Sequence, residues 1–387
     1  MSAETTSSIP MTGVPFSREE YDRRHSAVLK MMEASGLDVL AVTAYSHLEY
    51  LTGYDGSGGY FAPFPLILAP GRTPTFVARK YDEVAVRAQS CISEIVPYRQ
   101  EGDLAPVWAD VLRRYGLERA RIGLELGCWN LAPRDVALLQ AELPNLMIID
   151  ETRLVASVAA VKSDVEIDVM RRAMALTRLA IYTFHRSLRE GVSEAEVARA
   201  IDDAIENAGG QSRPYTLLFG PRTAVPHGSP GPYRLDRDQP AFTELSGWVD
   251  GYSAGLCRSA VLGHHQGAES LHALAEEALH AAIDAIRPGV TAGDVDAACR
   301  RVIERAGRSD VFRHRTGYQN GIMWSDRGNL SLEPGSIDVL ATGMTFHMPI
   351  ILFEEGQYGV GVSETVLVTE DGCELLSGLP RTLHHVV

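Results

Sequence analysis

Apolar residues recur at helical spacing through Tyr21, Val28, Leu29 and Met32, directly behind Ser17, whose hydroxyl can cap the first turn. Short apolar runs follow at 39–42, 65–68, 75–77, 122–124 and 147–149, interleaved with helical patterns at 104–115 and 134–142. Strands alternating with helices predict an α/β domain, which closes near Glu151 and is bounded at residues 1–155.

The pattern then changes. From 162 to 188 apolar positions (Ile167, Met170, Ala173, Met174, Ile181, Phe184) line one face of a long amphipathic helix whose other face is charged. The segment 191–209 recurs at 289–307, with eight of nineteen residues identical at an offset of 98. Ser193 and Thr291 stand as N-caps, with Glu196 and Asp294 three residues on. Strand-rich runs at 215–219, 242–245, 259–262, 344–353 and 364–369 follow the helices. Residues 156–387 therefore read as a duplicated α+β half, a curved antiparallel sheet with helices outside and the site between the halves.

Charge narrows the function. The chain has 36 Lys and Arg against 50 Asp and Glu, a net charge of −14. That balance argues against tracking nucleic-acid phosphates or anionic membranes. Five scattered cysteines without a CxxC pair signal neither a disulfide framework nor a thiolate zinc site. The leader MSAETTSSIPMTG lacks a basic start and an apolar core, and no run of about 18 apolar residues occurs, so a cytoplasmic protein is expected.

Several segments in order resemble the creatinase and aminopeptidase P superfamily with its pita-bread fold. They are Tyr50-Leu-Thr-Gly53, Val161-Lys162-Ser163, Pro226-His227-Gly228, the stretch from Gly251-Tyr252 to Arg258, Gly343-Met344 and Val366-Leu-Val-Thr-Glu-Asp-Gly372. The metallopeptidases of that superfamily hold two divalent ions with two Asp, one His and two Glu. Here those positions fall on Glu244, Gly255, Tyr318, the neighbourhood of Met348-Pro349, and Ser363. Hard dications need several converging oxygen ligands, and one carboxylate remains of five, so neither a metal nor another cofactor is expected.

That loss is similar to the metal-free branches, creatinase and the ectoine hydrolases. Thr-Gly-Tyr-Asp55, Phe242-x-Glu-Leu-x-Gly247, Gly343-Met-Thr-Phe-His347, Ser363-Glu-Thr365 and Leu379-Pro-Arg381 bring the ectoine hydrolases nearer. Creatinase carries a Glu where this chain has Cys257, and Ile350-Ile351 departs from the ectoine-type pattern. The resemblance implies a metal-independent hydrolase of a non-peptide carbon–nitrogen bond in a small zwitterion, opening a ring to an N-acetyl-diaminobutyrate. A creatinase-like amidinohydrolase, a Xaa-Pro metallopeptidase and a non-catalytic peptide-binding module are the alternatives. It also implies a homodimer, with the Gly-rich segment 54–61 and its Tyr60 closing over the partner's cavity.

Within this frame His227, in a Gly- and Pro-rich loop, takes the place of the superfamily's proton-shuttling histidine; a plain surface histidine is the alternative. Glu244 is the sole ionisable residue of an apolar strand, and its carboxylate is expected to be desolvated and raised in pKa. It is a candidate nucleophile or general base, with an ion pair to Arg258 as the structural alternative. Tyr318 and His347 are candidates to stabilise developing charge where the metals would sit, or satisfied core residues. Glu364 is a candidate for a cationic substrate nitrogen, Arg258 for substrate binding, and Tyr252 and Trp324 for walling a small ring.

Overall fold

The computed structural model describes residues 13–60, 62–326 and 328–386. Almost all of the leader, and Phe61 of the Gly-rich segment, lie outside these. The chain divides into two compact units: the first runs to Ala159 and takes in Asp326–Gly328, and the second holds the remainder. The division falls four residues after the expected boundary at 155. Leu154, Val155, Ala156 and Ala159 are buried in the helix Leu154–Ala160, and the first unit keeps this helix up to its last residue but one.

In the first unit, helices α1 (Arg18–Ala34), α2 (Tyr45–Thr52), α3 (Glu83–Gln89), α4 (Leu104–Tyr115), α5 (Pro133–Glu142) and α6 (Leu154–Ala160) accompany six strands. These are β1 (Val39–Val42), β2 (Leu66–Leu68), β3 (Thr75–Arg79), β4 (Glu94–Tyr98), β5 (Arg121–Leu124) and β6 (Met147–Asp150), in the order β4-β3-β2-β1-β5-β6. Ser17 caps α1 by accepting from the Glu20 N–H. Strand β4 escapes the hydrophobic pattern because it is an edge strand, largely solvent-facing and interrupted by Pro97.

The second unit contains α7 (Asp164–Ser187), α8 (Glu194–Asn207), β7 (Thr216–Phe219), β8 (Gln239–Val249), β9 (Tyr252–Leu262), α9 (Gln266–Ala285) and α10 (Ala292–Arg305). Then come β10 (Gly317–Gln319), β11 (Ser331–Leu332), β12 (Thr345–Glu354), β13 (Tyr358–Val368), β14 (Cys373–Leu375) and β15 (His384–Val386). They form a four-stranded sheet β15-β9-β8-β7 and a five-stranded sheet β11-β10-β12-β13-β14. The sheets join where β9 meets β13. The Cys257 N–H donates to Ser363 Oγ at 2.6 Å, Thr365 Oγ1 to the Gly255 carbonyl at 2.8 Å and the Gly361 N–H to Ser259 Oγ at 2.8 Å. One apolar cluster packs α7 and α8 on β7–β9, and a second packs α9 and α10 on β12 and β13.

The repeat in the sequence is a repeat in the backbone. Ser193 and Thr291 cap α8 and α10 by accepting from the N–H of Glu196 and Asp294. Before each helix the chain makes the same hydrogen bonds: Gly191 N–H to Leu235 O at 2.8 Å and Glu194 N–H to Tyr233 O at 3.0 Å. Their counterparts are Gly289 N–H to Leu340 O at 2.9 Å and Ala292 N–H to Asp338 O at 2.8 Å. Strands β8 and β9 extend beyond the apolar runs that mark them, through Gly247 and Gly255. A Cβ on Gly247 would come within 2.5 Å of the Ala173 carbonyl of α7, so the close helix–strand approach requires glycine. All five cysteines are free, and among the described residues no helix is long and apolar enough to cross a membrane.

Candidate active site

Both halves of the second unit contribute to one cavity of about 370 Å³. Thr216, His227, Phe242 and Glu244 come from the first half, and Arg313, Arg315, Tyr318, Pro349, Ile351 and Phe353 from the second. A smaller recess shares Thr216, His227, Glu244 and Tyr318 and adds Pro214, Tyr215 and Trp324. His227, Glu244 and Tyr318 therefore stand at the junction of the two spaces, and among the described residues Glu244 is the only carboxylate lining either.

Glu244 sits at the middle of β8, opposite Thr216 on β7 and Cys257 on β9. Its side chain is 14% exposed, and removal from water, with no compensating cation, raises the carboxyl to about 7. His227 is exposed at the cavity and held at φ 53°, a left-handed conformation that non-glycine residues seldom adopt. The loop is pinned by a residue that sequence reasoning missed. Buried Glu194 accepts from Phe219 N–H (2.9 Å), Gly231 N–H (2.8 Å) and Arg222 Nε (2.9 Å), and Arg222 donates to Ser229 O at 3.0 Å. Glu194 hid in the first turn of a helix, where an acidic residue is ordinary.

Behind Glu244 runs a hydrogen-bond chain. Trp324 Nε1–H donates to Tyr318 Oη (2.7 Å), Tyr318 Oη lies 3.0 Å from His347 Nδ1, and His347 Nε2 lies 2.9 Å from Ser363 Oγ, which also accepts from Cys257. Burial lowers His347 to about 3, aided by repulsion from Arg258, so the ring is neutral and carries one N–H. If that hydrogen were on Nε2, the hydroxyl of Ser363, wholly buried, would have no acceptor. Placing it on Nδ1 satisfies every group: Ser363 donates to Nε2, Nδ1–H donates to Tyr318 Oη, and the phenolic hydrogen is left for the cavity. Burial raises the Tyr318 phenol, so it stays protonated.

Other expected site residues are elsewhere. Arg258, 1% exposed, donates to Glu364 Oε1 at 3.0 Å, to the Ser363 carbonyl at 2.6 Å, to Cys257 O at 2.9 Å and to Pro380 O at 3.1 Å. The expected substrate contacts of Arg258 and Glu364 are thus corrected: the two side chains are buried against each other, and neither lines the Glu244 cavity. The alternation of strand side chains decides this, since Cys257 and Ser363 face the site side and their neighbours point away. The alternative pairing of Arg258 with Glu244 is likewise replaced by Glu364. Tyr252, fully buried, donates to Glu166 Oε1 at 2.7 Å and lines neither space, a second correction. Tyr60 is 75% exposed on a loop of the first unit. Arg313 and Arg315, overlooked in the sequence although they flank His314, bring positive charge to the cavity; Arg315 stacks 4.5 Å from the Tyr318 ring.

Of the positions on which the resemblance places metal ligands, Pro349 and Ser363 pair across the sheet, and Tyr318 pairs with His347. Their chemistry does not fit two dications. Ser363 and Tyr318 are committed to the chain above, Met348-Pro349 offers only a soft thioether, and Gly255 offers no side-chain donor. At Gly255 even a Cβ would come 2.5 Å from Trp324 Cη2. Among the described residues no three His, Cys, Asp or Glu side chains converge as a metal site.

A model of metallopeptidase family M24 matches residues 168–370, and one of the Creatinase/Prolidase N-terminal domain matches residues 24–161. The chain is 31% identical over 387 residues to the uncharacterized hydrolase/peptidase y4tM of Sinorhizobium fredii, covering 95% of this chain and 98% of that one. It is 28% identical over 401 residues to the ectoine hydrolase of Halomonas elongata, covering 96% and 98%. Among solved structures, dipeptidase PepE from Mycobacterium ulcerans superposes with a TM-score of 0.86 at 26% identity, over 97% of this chain and 100% of that one.

Proposed function

The chain belongs to metallopeptidase family M24, and from that premise we propose that it is a metal-independent hydrolase of a non-peptide carbon–nitrogen bond in a small zwitterion of the ectoine class. The observation that carries this reading is the replacement of the ligand set by one desolvated carboxylate, Glu244, beside a neutral Tyr318–His347–Ser363 chain.

In its ionised form Glu244 adds to the amidine carbon of the substrate, or removes a proton from a water that does so. As charge develops on the attacked group, the Tyr318 hydroxyl donates to it, strengthened by the two N–H groups that donate to its oxygen. The carbon–nitrogen bond then breaks, and His227 supplies the proton that the departing amine needs. In the covalent route, water attacks the carbon joined to Glu244, restores the carboxylate and returns a proton to His227. The substrate carboxylate has Arg313 or Arg315 to pair with at the cavity.

The dipeptidase relatives favour a second reading, a peptidase that takes up metal despite its donors. Purified protein, stripped with chelator and analysed for metal, is assayed on ectoine, on creatine and on Xaa-Pro dipeptides. Ectoine turnover that survives chelation is expected, and its abolition by His227→Ala distinguishes an enzyme from a binding module. Activity restricted to dipeptides and restored by added Mn or Zn would sink the proposal; urea release from creatine would move it to an amidinohydrolase. The proposed working form is a homodimer, which sedimentation equilibrium tests directly.

A further inference from the structure

We propose that the cavity between the last turns of α7 and the segment 379–385 is a second ligand site, for a small organic carboxylate with an apolar body. This cavity, also about 370 Å³, lies apart from Glu244 and shares no lining residue with the catalytic space. Its walls are selective in charge. Among the described residues no Asp or Glu lines it, whereas Arg186 and Arg258 do, together with His185, His384 and His385; burial lowers the pKa of His185 and His384, so the fixed charge at the wall is that of the arginines. Its remaining surface is mainly apolar, led by Ile181 and Leu383.

One polar atom in this wall is without a partner, and it lies beside a guanidinium held by the protein. The Arg258 guanidinium has five N–H donors. One goes to Pro380 O, two to Cys257 O and Ser363 O, and one Nη2 hydrogen to Glu364 Oε1, so every nitrogen already has an acceptor, while Glu364 Oε2 is buried without a hydrogen-bond partner. His185 Nε2 is also buried with no hydrogen-bond partner, its ring stacked on His384 at 4.1 Å and 12°. Burial lowers His185 to about 3, so its ring is neutral and Nε2 can carry the one ring hydrogen; buried polar atoms are satisfied almost everywhere in folded proteins, so this one points to a polar group that occupies the cavity.

The negative end of the α7 dipole opposes an anion here, but it amounts to about half an elementary charge. Arg186 carries a whole one and is unpaired by any carboxylate lining the cavity, whereas the charge of Arg258 is met by Glu364. The guanidinium fork suits a carboxylate, and the apolar walls suit a hydrocarbon body in preference to a bare inorganic anion. Arg258 also holds the carbonyl of Ser363, so such a ligand shares a residue with the chain that reaches Tyr318.

Calorimetric titration of the full chain with hexanoate, acetate and inorganic phosphate tests the proposal, with imidazole NMR signals assigned through His185→Gln and His384→Gln. Saturable hexanoate binding that moves the His185 and His384 signals is expected, stronger than that of acetate or phosphate. Arg186→Gln, an exposed position whose replacement leaves the core untouched, should weaken it about tenfold, as loss of one charge-assisted hydrogen bond does. No saturable binding, binding unaffected by Arg186→Gln, phosphate binding as tightly as hexanoate, or binding abolished by Arg315→Gln in the catalytic cavity would each overturn it.

Discussion

Replacing Glu244 by Gln separates the cost of the carboxylate from its use. Desolvation lifts this carboxyl from the ordinary 4.5 to about 7. A displacement of that size corresponds to roughly 3 kcal/mol between the protonated and ionised forms. Between these two values the native protein keeps a proton that the unfolded chain has lost. Stability therefore falls as pH rises from about 4.5 to about 7, and the full penalty persists above. Gln carries no charge at any pH. The variant should match the wild type at about pH 4 and below and exceed it by up to about 3 kcal/mol at pH 8, read from urea unfolding with the second unit's transition scored. Catalysis should move oppositely. A nucleophile or base must be ionised, so wild-type kcat/KM should rise with pH through about 7, with about a tenth of the plateau at pH 6, while Glu244→Gln loses several orders of magnitude. An acid limb centred near 4.5, or a Gln variant no more stable than wild type at pH 8, would refute the reasoning.

Arg258→Met leaves Glu364 buried without its cation and should destabilise by about 3–5 kcal/mol in urea unfolding, much of it recovered by adding Glu364→Leu. Tyr318→Phe removes the one cavity-facing hydroxyl of the chain and should lower kcat by about 10²–10³ with little change in KM; an equal rise in KM would mark mere substrate binding. Gly255→Ala forces the Trp324 indole aside and should cost about 1–3 kcal/mol, a loss removed in a Trp324→Ala background.

What the sequence makes legible is what local rules govern. The caps at Ser193 and Thr291, the long stripe of α7 and the duplication all rest on spacing within one segment, and the structure repeats them down to the hydrogen bonds before each helix. The site residues divide differently. Glu244 and Tyr318 stand out because their own strands or motifs are anomalous, a lone acid in an apolar run and a tyrosine at a ligand position. Arg258 and Glu364 look equally anomalous, yet they face away, because orientation depends on strand register and on a partner 106 residues distant. Glu194 carries no local sign of its task, for its acceptors are spent on a loop that begins some 25 residues later.

The indole over Gly255 also constrains which substitutions can follow one another in this chain. Installing an aspartate at 255 meets the indole first, and removing Trp324 first strips a hydrogen bond from Tyr318. Exchanging Tyr318 for histidine or Ser363 for glutamate breaks the chain through His347 from either end. Each single step toward a dimetal centre thus dismantles the present arrangement before any ion gains a full set of ligands. On the proposed reading the two chemistries are separated by a valley that must be crossed with several substitutions at once, so directed evolution toward a metallopeptidase should succeed from combinatorial libraries spanning these positions and stall when they are changed singly.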